Sequence, residues 1–404
     1  MRYRQLGRTG LTVSEISLGG LFFGKLAAGR DTGATVARAA ELGINLIDTA
    51  AAYTGSEEEL GRVLAEGLRR KFLIATKWWP YMDDGRTMKV TPAELQAAVE
   101  GSLRRLRTDT IDLFLFHSLT FPGDVERVRH GPLWYELDRL KHDGKIRHIG
   151  LSNSGSDDPE DDRLTEAARE EGFEVVMPEF LLFRQRAVRA ALPTYRRAHV
   201  GVIGIMPLGQ AAWGYGLRDR TYLADSLKTL REKGALPDAP EYRGAGALDF
   251  LLDDATPTIA AAALRFCLSY DGISTVCCGT NDPEHLTANA AVSDAGPLDD
   301  ARLARAEELF GDCDCAAQGS GAEPLAAGSS RRRTSSSGVP VNSTPNAQAP
   351  STSMMPRRFQ RRTARRRNWS LEAGSVNPKS SSSPSTRSRG RRRSSSAQRC
   401  SARA

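Results

Sequence analysis

Eight short apolar runs, rich in β-branched and aromatic residues, recur between residues 15 and 279. They are EISLGG (15–20), INLIDTA (44–50), FLIATKW (72–78), IDLFLFHS (111–118), IRHIGLSN (146–153), EVVMPEF (174–180), VGVIGIMP (200–207) and ISTVCCG (273–279). Their hydrophobicity is continuous rather than alternating, the pattern of strands covered on both faces in a parallel sheet. Helical patterns fill most of the gaps, among them EEELGRVLAEGLRR (57–70), TPAELQAAVEGSLRRL (91–106), GPLWYELDRLKHDG (131–144) and TIAAAALRFCLSY (258–270). In the second of these Thr91 can cap, Pro92 takes the first helical position and Glu94 completes a capping box. Eight strand–helix units in about 300 residues predict an α/β chain folded as a (β/α)₈ barrel rather than an open doubly wound sheet. Two segments stand outside the repeat. YRQLGRTGLTVS (3–14) reads as a hairpin ahead of the first barrel strand, and residues 209–256 form a long excursion rich in Gly, Pro and aromatics. Long connections at the C-terminal face of a barrel usually shape the substrate site.

The pattern stops near residue 316. Beyond it come Ser runs and Arg triplets, a composition that cannot bury enough apolar surface to offset its ordering entropy. The expected organisation is therefore a barrel over residues 1–315 and a disordered Arg/Ser-rich tail over 316–404. That tail carries 18 Lys+Arg against two acidic residues, Glu323 and Glu372, so the remaining chain carries 38 basic against 47 acidic residues and is net −9. Basicity thus belongs to the tail alone. Arg-rich tails can neutralise phosphates, but this one offers only Phe359 and Trp369 for stacking and no recognisable binding module, so no nucleic-acid partner is expected. No run reaches the length of a membrane span and the start lacks the apolar core of a signal peptide, which predicts a cytoplasmic chain without a membrane partner. The six cysteines include no C-x-x-C pair and the six histidines no ligand cluster; Cys313 and Cys315 could supply half a metal site, and no metal is expected.

Polar residues at strand ends locate the chemistry. Asp48 and Lys77 fall near the C-terminal ends of the second and third strands, His117 ends the fourth, and Tyr53 lies in the loop leaving the second. Each has an ordinary structural role available: a helix cap, half-buried packing, a solvated strand end, a satisfied core histidine. Their convergence on one rim, each in an apolar context, is a poor way to build stability and the expected position of a barrel's active site.

The segments holding these residues resemble the aldo-keto reductases, nicotinamide-dependent oxidoreductases built on this barrel. LGRTGLTVSEISLGG, INLIDTAAAY, ATKWW, IDLFLFH, GKIRHIGLSN and LRFCLSYDGISTVCCGT resemble the family's segments in order and spacing over residues 1–310. The resemblance implies that Asp48, Tyr53, Lys77 and His117 are the catalytic tetrad. Reducing a carbonyl requires hydride at carbon and a proton at oxygen, and a phenol is a sluggish donor at neutral pH. Lys77 would lower the Tyr53 pKa, Asp48 would hold Lys77 charged and aimed, and a neutral His117 would donate to the substrate oxygen.

The same resemblance places the cofactor across the barrel mouth. Ser152 and Asn153 match positions that bind the nicotinamide carboxamide, Met177 stands where relatives usually have Gln, and Ile205 or Met206 occupies the ring-stacking position. Gly20, Pro207 and Leu208 join the expected contacts, Gly279 and Thr280 match the phosphate loop, and Asn289 matches an adenine contact. His285 stands where many relatives place an Arg for the 2′-phosphate. NADP(H) is the favoured cofactor and NAD(H) a possible one; SLGGLFFG is not G-x-G-x-x-G, and Tyr53 is followed four residues on by Glu57 rather than Lys. The expected activity is reduction of small aldehydes or ketones to alcohols, or the reverse oxidation of sugars or alcohols, with specificity set by residues 120–130, 154–162 and 209–256. Two rival readings are a non-catalytic, redox-sensing dinucleotide-binding barrel and nucleic-acid binding through the tail.

Overall fold

The structure, a computed structural model, describes residues 1–27, 29–82, 88, 91–152, 162–210 and 215–313. Each of the eight apolar runs supplies one barrel strand: β1 (Ile16–Gly19), β2 (Leu46–Asp48), β3 (Leu73–Trp78), β4 (Ile111–Phe116), β5 (Ile146–Ser152), β6 (Val175–Met177), β7 (Gly201–Ile205) and β8 (Thr275–Gly279). All neighbours are parallel and β8 pairs with β1, so the sheet closes and leaves no edge. The strands are shorter than the runs because run residues lie outside the ladder, before it at Phe72 and Ile273 and past it at His117 and Met206. After β6, for example, Pro178 lacks an N–H to donate; its carbonyl accepts from Ile205 at 2.9 Å instead.

Register puts the C-terminal strand ends on one rim: Gly279 lies opposite Gly19, Gly19 opposite Asp48, Lys77 opposite Leu115, and Ser152 opposite Met177. The barrel interior is filled by Leu46, Ala75, Leu113, Leu115, Val175, Met177, Ile203 and Cys277. A hairpin closes the other end: Tyr3–Gln5 pairs antiparallel with Thr12–Ser14, and Leu6 and Val13 join the interior cluster fully buried. Gly7 in this plug has φ +53°, and a Cβ there would meet the Gly201 nitrogen at 2.2 Å, so only glycine fits.

Helices surround the barrel: α1 (Thr32–Glu41), α2 (Ser56–Val63), α3 (Pro92–Leu106), α4 (Asp124–Arg129), α5 (Pro132–His142), α6 (Arg163–Arg169), α7 (Arg186–Arg197), α8 (Arg220–Glu232), α9 (Ile259–Leu268), α10 (Pro283–Ala295) and α11 (Asp300–Phe310). At the start of α3 the Thr91 hydroxyl accepts from the Glu94 N–H at 3.4 Å and donates to its carboxylate. The 57–70 pattern is not one helix. It leaves α geometry after Val63, Gly67 takes φ +100°, and a 3₁₀ turn over Arg69–Lys71 delivers the chain to β3. The excursion after β7 contains α8, whose Asp219 cap accepts from the Tyr222 N–H at 3.0 Å and whose Leu223, Leu227 and Leu230 are buried. Among the described residues no helix is long and apolar enough to cross a membrane. The expected tail at 316–404 lies outside the described residues.

Candidate active site

Asp48 ends β2 and Lys77 is the penultimate residue of β3, two strands that pair directly. The Lys77 ammonium lies 2.5 Å from Asp48 Oδ1 and 2.6 Å from Oδ2, and donates to the Thr49 carbonyl at 2.9 Å. Its three N–H groups therefore all have acceptors, and both side chains are almost wholly buried. Tyr53 is folded back by its own loop. Its N–H donates to the Ala50 carbonyl at 3.0 Å, its carbonyl accepts from Ser56 at 2.8 Å, and the next carbonyl, of Thr54, accepts from Lys25 at 3.1 Å. Ser56 Oγ ties this loop down by donating to the Gly20 carbonyl at 2.8 Å and lying 2.7 Å from Thr49 Oγ1. Lys77 Nζ consequently sits 5.0 Å from the centroid of the Tyr53 ring. His117, whose N–H donates to the Trp78 carbonyl at 2.8 Å, meets Tyr53 edge to face at 5.7 Å between centroids. Four side chains from three adjacent strand ends thus converge, with Trp79 as a further edge-to-face neighbour of His117 at 6.2 Å.

Burial controls the electrostatics. It pushes the Asp48 carboxyl up, against the charge and hydrogen bonds of Lys77. Burial would lower Lys77, but the Asp48 charge, with Tyr53 and the Asp48 hydrogen bonds adding to it, outweighs this and holds the ammonium above its ordinary value. The Tyr53 phenol is also raised: burial dominates, Lys77 opposes it, and Asp48 and Cys277 add to the rise. The expected lowering by Lys77 is thus present as a component and is overridden by desolvation. His117 is pushed down to about 3, first by burial and then by Lys77, and stays neutral at ordinary pH. Its Nδ1 is buried without a hydrogen-bond partner among the described residues.

The remaining described residues of the expected set lie at or just beyond the ends of β1, β5, β6, β7 and β8, and on α10. Met177 is fully buried at the end of β6 and Ser152 is buried at the end of β5; Asn153 lies outside the described residues. Ile205 ends β7, followed by half-buried Met206, buried Pro207 and half-buried Leu208. Met206 has φ +59°, a left-handed conformation costing about 1–3 kcal/mol that concentrates at functional sites. Gly20 has a packing reason of its own, since a Cβ there would meet the Asp48 carbonyl oxygen at 2.9 Å. Gly279 ends β8 exposed, Thr280 is buried, and α10 begins under an Asp282 cap that accepts from the N–H groups of Glu284 at 2.9 Å and His285 at 3.3 Å. Asn289 is buried on α10. His285 is exposed, its Nδ1 3.9 Å from Asp282 Oδ2.

The sequence reading missed several residues here. Arg30, in the loop after β1, makes a salt bridge to Asp282 across 252 residues of sequence, placing a guanidinium at the start of α10. Asn281 donates to Thr32 Oγ1 at 3.2 Å while its buried Oδ1 has no partner among the described residues. Glu57, noted only for not being Lys, is buried and accepts from Thr76 Oγ1 and Arg105 Nε, both at 2.6 Å, bracing β3 next to Lys77. The polar signal was visible at Asn281 and Asp282, adjacent to the expected phosphate loop. Among the described residues no group of three His, Cys, Asp or Glu is placed to hold a metal.

The model of the aldo/keto reductase family matches residues 15–310. A curated relative, "Uncharacterized oxidoreductase YqkF" of Bacillus subtilis, is 26% identical over 304 residues, covering 74% of this chain and 93% of its own. Among solved structures, the holo form of the aldo-keto reductase AKR11C1 from Bacillus halodurans is 26% identical with a TM-score of 0.58, covering 77% of this chain and 96% of that one. Its apo form superposes with a TM-score of 0.53 over the same shares.

Proposed function

Because this chain belongs to the aldo/keto reductase family, we propose that it reduces aldehyde or ketone carbonyls to alcohols with a nicotinamide cofactor, that Tyr53 delivers the proton, and that NADPH is preferred over NADH. The observation that carries this reading is the buried Asp48–Lys77 pair set beneath Tyr53 and beside a neutral His117. The raised Tyr53 pKa keeps the phenol protonated and so charged with the proton it must give. Proton transfer remains favourable because the acceptor is a developing alkoxide, a far stronger base than a phenolate. Lys77 then stabilises the phenolate left behind, and Asp48 keeps that cation in place at no cost in side-chain reorganisation. With no protein partner on Nδ1 among the described residues, neutral His117 can carry its proton on Nε2 and donate it to the carbonyl oxygen, orienting the substrate.

A bound reduced nicotinamide supplies the hydride. The rim fits such a group: the unpartnered Asn281 Oδ1 faces no competing donor among the described residues, and Gly279 presents bare backbone at the mouth, with only the Phe22 ring 3.3 Å from where a Cβ would stand. Ser152, Met177, Ile205, Pro207 and Leu208 would hold the nicotinamide half, with Gly20 at the adjoining strand end. Gly279, Thr280 and Asn289 would hold the adenosine half, with Arg30 as the cation and His285 as a neighbouring side chain near the 2′-phosphate. The test is consumption of NADPH and of NADH by the full chain, read by absorbance against a panel of aldehydes and ketones. The proposal expects turnover of at least one carbonyl with faster consumption of NADPH; binding of either dinucleotide without turnover of any carbonyl would overturn it.

A further inference from the structure

We propose that the N-terminal face of the barrel, opposite the tetrad, is a binding site for a small phosphate-bearing anion. A cavity of about 550 Å³ opens there, where β3, β4 and β5 begin, within the size range of small-molecule sites. Four cations, Arg69, Arg70, Lys71 and Arg147, line it against a single carboxylate, Asp112. In a body whose sequence before the tail is net negative, this is a local excess of three positive charges.

Asp112 is already spoken for. Its Oδ2 accepts from Arg69 and from the Ile74 N–H, both at 2.9 Å, and its Oδ1 accepts from Arg147 at 2.9 Å. Arg69 is committed as well, since it also donates to Thr108 Oγ1 at 3.0 Å and to the carbonyls of Phe72 at 2.7 Å and Thr110 at 2.9 Å. It forms a fixed wall rather than a free ligand. Arg70 and Lys71 are different: both are exposed, and no carboxylate among the described residues pairs with either. The 3₁₀ turn set up by Gly67 aligns them beside Arg69, and Arg147, 56% exposed, retains donors beyond its one bond to Asp112. Two unpaired cations and a partly free guanidinium around one concavity match a phosphate group of charge about −2, which several charge-assisted hydrogen bonds would hold.

The test is calorimetric titration of the full chain with inorganic phosphate and with phenyl phosphate, repeated on Arg70→Glu/Lys71→Glu. The Arg-rich tail gives phosphate a second place to bind, so the decisive quantity is the difference made by the double reversal, which touches no tail residue. The proposal expects affinity to fall at least tenfold; tighter binding of phenyl phosphate points to an esterified ligand and equal binding to free phosphate. If the reversal does not fold, Arg70→Gln/Lys71→Gln should weaken binding several-fold, and hydrogen exchange on the unaltered chain should show phosphate protecting amides of residues 69–73. Unchanged affinity in either folded variant, or protection confined to other regions, overturns the proposal.

Discussion

Lys77 and Asp48 form a chelated pair: the ammonium reaches both carboxylate oxygens, at 2.5 and 2.6 Å, from the neighbouring strand, and both side chains are almost wholly buried. Two strand ends in register make this possible, and such burial leaves little water to compensate either charge if its partner is removed.

Removing one partner should therefore cost more than an ordinary surface substitution. Asp48→Asn leaves the Lys77 cation buried without its counter-charge and is expected to lower stability by about 3–5 kcal/mol. Urea denaturation monitored by circular dichroism measures this. A loss below about 1 kcal/mol would show that the pair is better solvated than its geometry indicates.

His117 gives the stability curve a specific acid dependence. Its folded pKa, about 3, lies below its unfolded value near 6.5, so the fold loses stability as pH drops through about 6.5, and the loss levels off near pH 3. Because the ring keeps partial exposure, the effect between pH 6.5 and pH 5 should be on the order of 1 kcal/mol. Urea midpoints at the two pH values for the native chain and His117→Phe should show the native chain losing more over this interval; equal losses would place the titration elsewhere.

The cofactor preference should respond to the charge at the start of α10. His285 is exposed and its Nδ1 is 3.9 Å from Asp282, which already takes the salt bridge from Arg30. His285→Arg is expected to raise the ratio of NADPH to NADH affinity several-fold, and Arg30→Gln to lower it, as read from dissociation constants by fluorescence titration. A ratio that moves with neither substitution would place the 2′-phosphate away from this helix start.

The organisation read from composition predicts where proteases act. Limited digestion with a protease of broad specificity should remove residues 316–404 first and leave a stable fragment ending near residue 316, detectable by intact mass. A tail that resists cleavage, or a body that unfolds once trimmed, would contradict that boundary.

Apolar continuity made the barrel legible, because strands covered on both faces need no alternation, and all eight runs became strands. Strand-end polar residues in apolar runs then exposed Asp48, Lys77 and His117. What stayed hidden depends on closure of the chain in space. The Ser56 hydroxyl meets the Gly20 carbonyl across 36 residues, and Arg30 meets Asp282 across 252; no local pattern encodes either meeting. The break after Val63 had a local signal in Gly67, which the helical periodicity of 57–70 masked. Helix α8 was obscured by the Gly- and Pro-rich segments around it, although Asp219 followed by apolar residues at 223, 227 and 230 carries a helical spacing. The net rise in the Tyr53 pKa could not be read either, since burial, which outweighs Lys77 there, is a property of the packed rim.

The central claim is that Tyr53 is the proton donor, supported from below by Lys77. Its most direct test is steady-state reduction of a good aldehyde by the native chain, Tyr53→Phe and Lys77→Met, with cofactor dissociation constants measured on the same preparations. Tyr53→Phe should abolish turnover while cofactor affinity stays near native, because the proposal gives the lost hydroxyl the proton transfer and assigns dinucleotide binding to other residues. Lys77→Met should lower kcat by a factor on the order of 10² to 10⁴ and move the pH profile toward that of an unassisted phenol. Native-level turnover by Tyr53→Phe would contradict the account and require a different acid at the barrel mouth.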